Sequence, residues 1–254
     1  ELNMDSHKMI IGYTASEDMG NGMTGFMHIE FENDDANKKG TKLDNDLSYV
    51  GVKGDFGSVS LGVQNDAAGF ACGGTDIFTI NGGNACGVGA VNGQLNDSLI
   101  YAKGFGDVTV VLAHTFDGDD NGTVLPGDHS IVAAKYAADA FSVGIQVTMV
   151  DADLSDNDLM VIGGTYTIND IVIGLTLADN GADNDNTAMA IAVSAPLAGG
   201  TVKVGFDSGD ALDQGAAGDG TATNLEFNKN LSKSVYWGGS FTSVDGMVSS
   251  SSTT

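Results

Sequence analysis

Asp117-Gly118-Asp119-Asp120-Asn121-Gly122, with Asp128 six residues further on, has the spacing of a calcium loop, D-x-D-x-N-G with an acid at position twelve. Carboxylates at positions one, three and five wrap a hard cation, and glycine at six permits the sharp turn. The ligands expected on that reading are Asp117, Asp119, Asn121, Thr123 through its carbonyl, and Asp128. Asp instead of Glu at twelve, Pro126 inside the loop and flanking strands instead of helices leave a plain solvated acidic loop as the other reading. Asp151-Ala152-Asp153, Asp156-Asn157-Asp158 and Asp183-Asn184-Asp185 lack the glycine and the spacing, and read as solvated loops. His7, His28, His114 and His129 are scattered without zinc-site spacing. There is no nucleophile elbow, and the glycine pairs at 73–74 and 82–83 lack the Lys-Ser/Thr ending of a phosphate loop. These absences argue against an enzyme.

The only cysteines, Cys72 and Cys86, both fall in the glycine-rich stretch 65–96. In an exported protein two cysteines in one loop favour a disulfide, with two free thiols as the alternative. Closing a loop of about 15 residues would stabilise by roughly 3 kcal/mol in the chain-entropy model.

The formal net charge is −24, and all ten basic residues are lysines. Nucleic acid is excluded as a partner, because phosphate binding needs a basic face. Cations are favoured. The acids lie mostly in loops, among them Asp34, Asp35, Asp120, Asp179, Asp207, Asp210, Asp213 and Asp219. They form either a cation-attracting vestibule or simply a soluble surface.

Those loops must be carried by something, and the pattern between them is strand after strand. Phe141, Val143, Ile145, Val147 and Met149 alternate with Ser142, Gly144, Gln146 and Thr148; Val202, Val204 and Phe206 alternate with Thr201, Lys203 and Gly205. Fourteen strands are expected, at 8–15, 22–32, 47–54, 58–65, 97–104, 107–116, 129–138, 140–150, 158–167, 170–179, 186–196, 199–207, 221–230 and 233–244. Tight glycine, asparagine and aspartate turns join them on one side, and long Asp-rich links on the other. Only two prolines interrupt the chain, and no apolar run approaches the roughly 20 residues of a membrane helix. One-sided loops of this kind predict a single all-β domain over 1–254: a transmembrane, antiparallel, up-and-down β-barrel. Its polar inner faces read as small and wettable. A soluble sandwich would show the same alternation with the apolar face in its core. Trp237, Tyr236, Tyr166, Tyr136, Tyr101 and Tyr49 are expected in the interfacial girdles.

Two segments carry a resemblance. Gly12 to Phe26, GYTASEDMGNGMTGF, is similar to the early hairpin of the Gram-negative trimeric general porins, and Tyr49 to Gly62, YVGVKGDFGSVSLG, resembles the family's YVGLKGDFGTVTLG hairpin nearly residue for residue. The rest of the chain agrees in rhythm. The resemblance implies a 16-stranded barrel in the bacterial outer membrane, a homotrimer, and a third loop folded into the lumen as a constriction. Here that loop is 65–96, a Cys72–Cys86 bridge would brace it, and Asp66 and Asp76 are its acids. Gln64 is expected with them among the pore and constriction residues. By alternation His28, Glu30, Lys135, Lys203 and Glu226 point inward.

The chain also departs from the family. Val63 stands where the family usually places Arg after the Leu-Gly pair, and another basic wall position falls on Ile10. The basic side of the constriction is therefore missing or rebuilt from lysine, which strengthens cation preference. Residues 1–5 lack a leader pattern, the first strand of the family is not visible before Ser6, and 249–254 lack the terminal aromatic of such barrels. The ends are thus incomplete or the barrel is smaller. Two functions follow: a passive, cation-preferring diffusion channel for ions and small hydrophilic solutes, with outer-membrane lipid around it and calcium on an external loop at most; or a surface-structural, adhesive β protein whose acidic loops are bridged by calcium.

Overall fold

The computed structural model describes residues 9–33, 42–79, 94–116, 128–150, 158–179, 187–210, 219–233 and 235–245. They form strands β1 (Met9–Gly20), β2 (Met23–Asn33), β3 (Asp44–Gly54), β4 (Gly57–Asn65), β5 (Gln94–Phe105), β6 (Val108–Thr115), β7 (His129–Ala137), β8 (Phe141–Val150), β9 (Leu159–Ile168), β10 (Ile171–Asp179), β11 (Thr187–Leu197), β12 (Gly200–Asp210), β13 (Asp219–Asn230) and β14 (Tyr236–Asp245), and one helical turn, α1 (Gly69–Cys72), between β4 and β5. Each strand pairs with the next in chain order, in one 14-stranded antiparallel sheet. Fourteen is the number read from the sequence; the two further strands of a 16-stranded barrel are not among the described residues.

Hairpin chemistry explains the ladder. Asn169 (φ 47°) and Asp170 (φ 67°) are both left-handed, the conformation of a tight turn whose twist matches its strands. All the short turns lie at one end of the sheet and all the long links at the other. A register shift between Gly62 and Gln64 marks where the chain leaves β4. Gly62 sits there at φ 130°, and a Cβ on it would collide with the Ser48 carbonyl. Such a bulge bends the strand end and re-aims the chain that follows.

Register assigns every side chain to one of two faces. Leu175, Ile191 and Phe206 are cross-strand partners on one face, continued by Val143, Ile145, Ile162, Leu177, Met189, Val204, Leu225 and Phe241. All of these are exposed. Water would not tolerate so continuous an apolar surface, whereas lipid requires it. A soluble sandwich would have buried this face, so the observation decides between the two readings of the alternation. Phe105, Tyr136, Phe141, Tyr166 and Trp237 cluster on it near the short-turn end. Tyr49 does not join them: it faces the other way, its ring centroid 5.3 Å from that of His28.

The inner face is less wettable than its sequence suggests. Val111, Ala113, Ile131, Ala133, Val161, Ala178, Ala188 and Ala190 point inward and are buried. They pack in three clusters, two of which include Ala67, Ala68, Ala71 and Cys72 of the segment between β4 and β5. A barrel wall alone would leave these residues in water. The inward segment gives a core to Val111, Ala133, Val161, Ala178, Ala188 and Ala190, while Ala113 and Ile131 pack with Leu95 and Leu159.

Candidate functional site

The segment 66–79 runs across the inner face like a belt, transverse to the strands. It begins at a polar root. Gln64 is 5% exposed, accepts the Ser60 hydroxyl and donates to Ser98 Oγ at 3.2 Å. Asp66 accepts the Ala68 N–H at 3.1 Å and the Gln146 amide of β8 at 3.4 Å. The turn α1 then lies against β8 and β9, with β7 and β10 at its margins.

The seat of the belt is cut from small residues. A Cβ at Gly144 of β8 would collide with the Phe70 carbonyl, at Gly163 of β9 with the Ala71 carbonyl, and at Gly174 of β10 with the Gly74 carbonyl. On β12, a Cβ at Gly205 would meet the Phe78 ring at 2.7 Å. Between them Thr176 donates to the Ala71 carbonyl at 3.3 Å and shares a 2.7 Å hydrogen bond with the Thr75 hydroxyl. Backbone thus rests directly on backbone, a close approach that glycine alone permits.

At the far end the belt meets β12 and β13. The Thr79 N–H donates to both oxygens of Glu226, at 2.8 and 3.1 Å. Lys203 reaches the same carboxylate at 2.7 Å, and the Asn228 amide does so at 2.6 Å. Lys203 and Asn228 also donate to the Thr79 hydroxyl, at 2.8 and 3.2 Å. Glu226 is 0% exposed.

Of the sequence-predicted residues, Asp76 lies exposed on the belt and Asp66 half-buried at its root. Lys135 points inward, its ammonium 5.9 Å from the centroid of Phe70. Lys203 and Glu226 also point inward but are joined to each other and to the belt. Gln64 faces Ser60 and Ser98, not the passage. His28 and Glu30 form a separate inner cluster on β2: His28 Nε2 is 3.3 Å from Glu30 Oε2, and Nδ1 is 2.9 Å from the Thr14 hydroxyl. Cys72 is buried with no free thiol, while Cys86 lies outside the described residues. So do Asp117, Asp119, Asn121 and Thr123; Asp128 is half-buried just before β7. Among the described residues no group of three or more His, Cys, Asp or Glu is placed to hold a metal.

Sequence reasoning missed Thr79, Thr176, Gln146, Asn228 and the glycine seats. The available signal was an inward glycine recurring in β8, β9, β10 and β12. Alternation reads such a residue as wettable wall and does not distinguish it from a docking seat.

An apolar outer face, one-sided long loops and a transverse inner belt together describe a porin wall. A family model described as Gram-negative porin matches residues 2–247. The chain belongs to the Gram-negative porin family. The family is one of non-enzymatic outer-membrane proteins, and the bacterial outer membrane is this porin's location. It is similar to the monosaccharide porin of Halomonas sp, 28% identical over 199 residues, covering 69% of this chain and 54% of that protein. In fold it resembles the anion-selective porin from Comamonas acidovorans, with a TM-score of 0.73 at 19% identity, covering 94% of this chain and 79% of that one. It also resembles OmpT of Vibrio cholerae in its trimer form, with a TM-score of 0.74 at 17% identity, covering 96% and 82%. The chain spans about half the length of the curated relatives it matches.

Proposed function

We propose that this porin forms a water-filled passive diffusion channel for ions and small hydrophilic solutes, and that it prefers cations. The observation that carries the reading is the belt: a segment seated inside a lipid-facing wall, presenting Asp76 to water. A passage narrowed by an acid and lined by no arginine attracts cations and repels anions. Glu30 adds a carboxylate beside His28 on the inner wall. The Comamonas porin is anion-selective, but it shares only the fold, and this chain carries a formal net charge of −24. The name of the Halomonas relative supports small neutral solutes as cargo, and the trimer form of OmpT supports a homotrimer.

Two further local proposals concern the belt and an outer loop. A Cys72–Cys86 bridge braces the belt, and calcium at Asp117, Asp119, Asn121, Thr123 and Asp128 stiffens an outer loop.

Conductance in a planar bilayer under a KCl gradient is the test. Stepwise openings in threes, with a reversal potential on the cation side, are expected. A reversal potential on the anion side would refute the preference. A folded, detergent-purified protein that never conducts but self-associates on adding calcium would favour the adhesive alternative.

A further inference from the structure

We propose that the wall is electrically polarised from end to end, so that the channel rectifies: it passes more current when the long-link side is positive than when it is negative. The inference rests on the channel reading and adds a direction to it. The described lysines gather at one end. Lys53 is one residue from the short-turn end of β3, Lys103 two from that of β5, Lys135 two from that of β7, Lys203 three from that of β12 and Lys229 one from that of β13, and Lys233 lies in the turn between β13 and β14. Lys42, just before β3, is the one described lysine at the other end.

Acids occur at both ends but are balanced at only one. Around the short turns Asp18, Asp55, Asp107, Asp139 and Asp170 stand among the lysines. Glu226, farther in, is paired with Lys203 at 2.7 Å. At the long-link end, Glu32 of β2, Asp44 of β3, Asp128 before β7, Asp158 before β9, Asp179 of β10 and Asp245 of β14 follow one another along the edge of the sheet. The inward side chains repeat the division. Lys53 and Lys135 face the lumen near the short turns, 6.0 Å from the Phe26 centroid and 5.9 Å from that of Phe70. Glu30 and Glu32 face it in the far half of β2, opposite Gly12 and Ile10, and no described strand places an inward lysine in that half.

Direction follows from which ion carries the current in each half. In the carboxylate half cations carry nearly all of it; in the balanced half anions share it. With the long-link side positive, cations cross the carboxylate half and reach the boundary faster than the balanced half removes them. Anions arriving from the short-turn side are held at the same boundary by the carboxylates beyond it. Both ions accumulate there, and conductance rises. The opposite voltage draws both away, and conductance falls.

Single channels in planar bilayers, with the same KCl solution on both sides, test this. A Gly104→Cys copy fixes the sidedness, because its added side chain enters open space at the short-turn end of β5; a thiol reagent too bulky for the passage should lower its current from that side alone. In about 0.1 M KCl the two polarities should give unequal currents, the larger with the long-link side positive. In about 1 M KCl, where the screening length falls from about 10 Å to about 3 Å, the two should converge. Lys53→Gln combined with Lys135→Gln extends the acidic half towards the short turns, so the current ratio should move towards one while cation preference rises. Equal wild-type currents in low salt, or a larger current at the reverse polarity, would overturn the inference and leave the channel standing. An inequality that survives unchanged in 1 M KCl would also overturn it, since shape and not charge would then be the cause. A folded protein that never conducts removes the channel reading and the inference together. Should the double variant not fold, the salt series on the wild-type protein decides alone.

Discussion

Asp66 and Asp76 belong to one segment but to different environments, and their substitution should separate them. Asp76 is exposed on the belt, so Asp76→Asn is expected to move the reversal potential towards zero in a KCl gradient while leaving thermal stability unchanged. Asp66 ties the Ala68 N–H and Gln146 at the root. Asp66→Asn should therefore act mainly on stability, by about 1.5–3 kcal/mol for a lost hydrogen bond to a charged group, and only weakly on selectivity. Equal shifts from the two variants would contradict this division. The sequence marked both as acids of an inward loop, and it marked Lys203 and Glu226 as inward charges. What it did not reveal is that the latter two are bonded to each other. Alternation reports direction, and burial of a carboxylate depends on a segment that arrives from β4, far away in the chain.

At the level of elements, the strands were almost fully legible and the belt was not. Each strand has its own period of two and its own turn residues, so local pattern suffices. The belt has no periodicity: its α1 is a single turn, GFAC, and its partners are glycines on β8, β9, β10 and β12 and alanines on β7, β10 and β11. Steric fit of this kind is a property of the assembled wall. Gly174→Ala tests it directly, because a methyl group there collides with the Gly74 carbonyl. Displacement of the belt is expected, seen as faster protease cleavage within 67–79 and noisier conductance; a Gly104→Ala control, whose added methyl meets nothing within 4 Å, should behave as wild type. If the Cys72–Cys86 bridge braces the same element, Cys72→Ser should also speed that cleavage. In the chain-entropy model, closing a loop of about 15 residues is worth roughly 3 kcal/mol.

For the whole molecule, the apolar band decides where the protein lives. Leu175 sits in it, mid-strand and exposed. Leu175→Arg is expected to destabilise the folded protein by about 2–4 kcal/mol near the bilayer midplane, measured as a shift in the denaturant midpoint after refolding into lipid vesicles. Trp237 is the single tryptophan and is 60% exposed on the outer face near the short-turn end. Its fluorescence should be quenched strongly by lipids brominated just below the headgroup and weakly by aqueous iodide; the reverse order would remove it from the girdle. The one-sided loops indicate this architecture in the sequence, but the alternation does not distinguish a wall facing lipid from a wall facing a core. Only the exposure of the apolar face made that distinction. The transverse belt also has a consequence in time. Its seat is assembled from β8, β9, β10, β12 and β13, and each of those strands pairs with its own neighbour in the chain. Loop-closure entropy places such long-range docking after local hairpins. The sheet can therefore form around an undocked segment first, and on the proposed channel function refolding into bilayers is expected to show a wider, noisier conductance level that narrows as the belt docks.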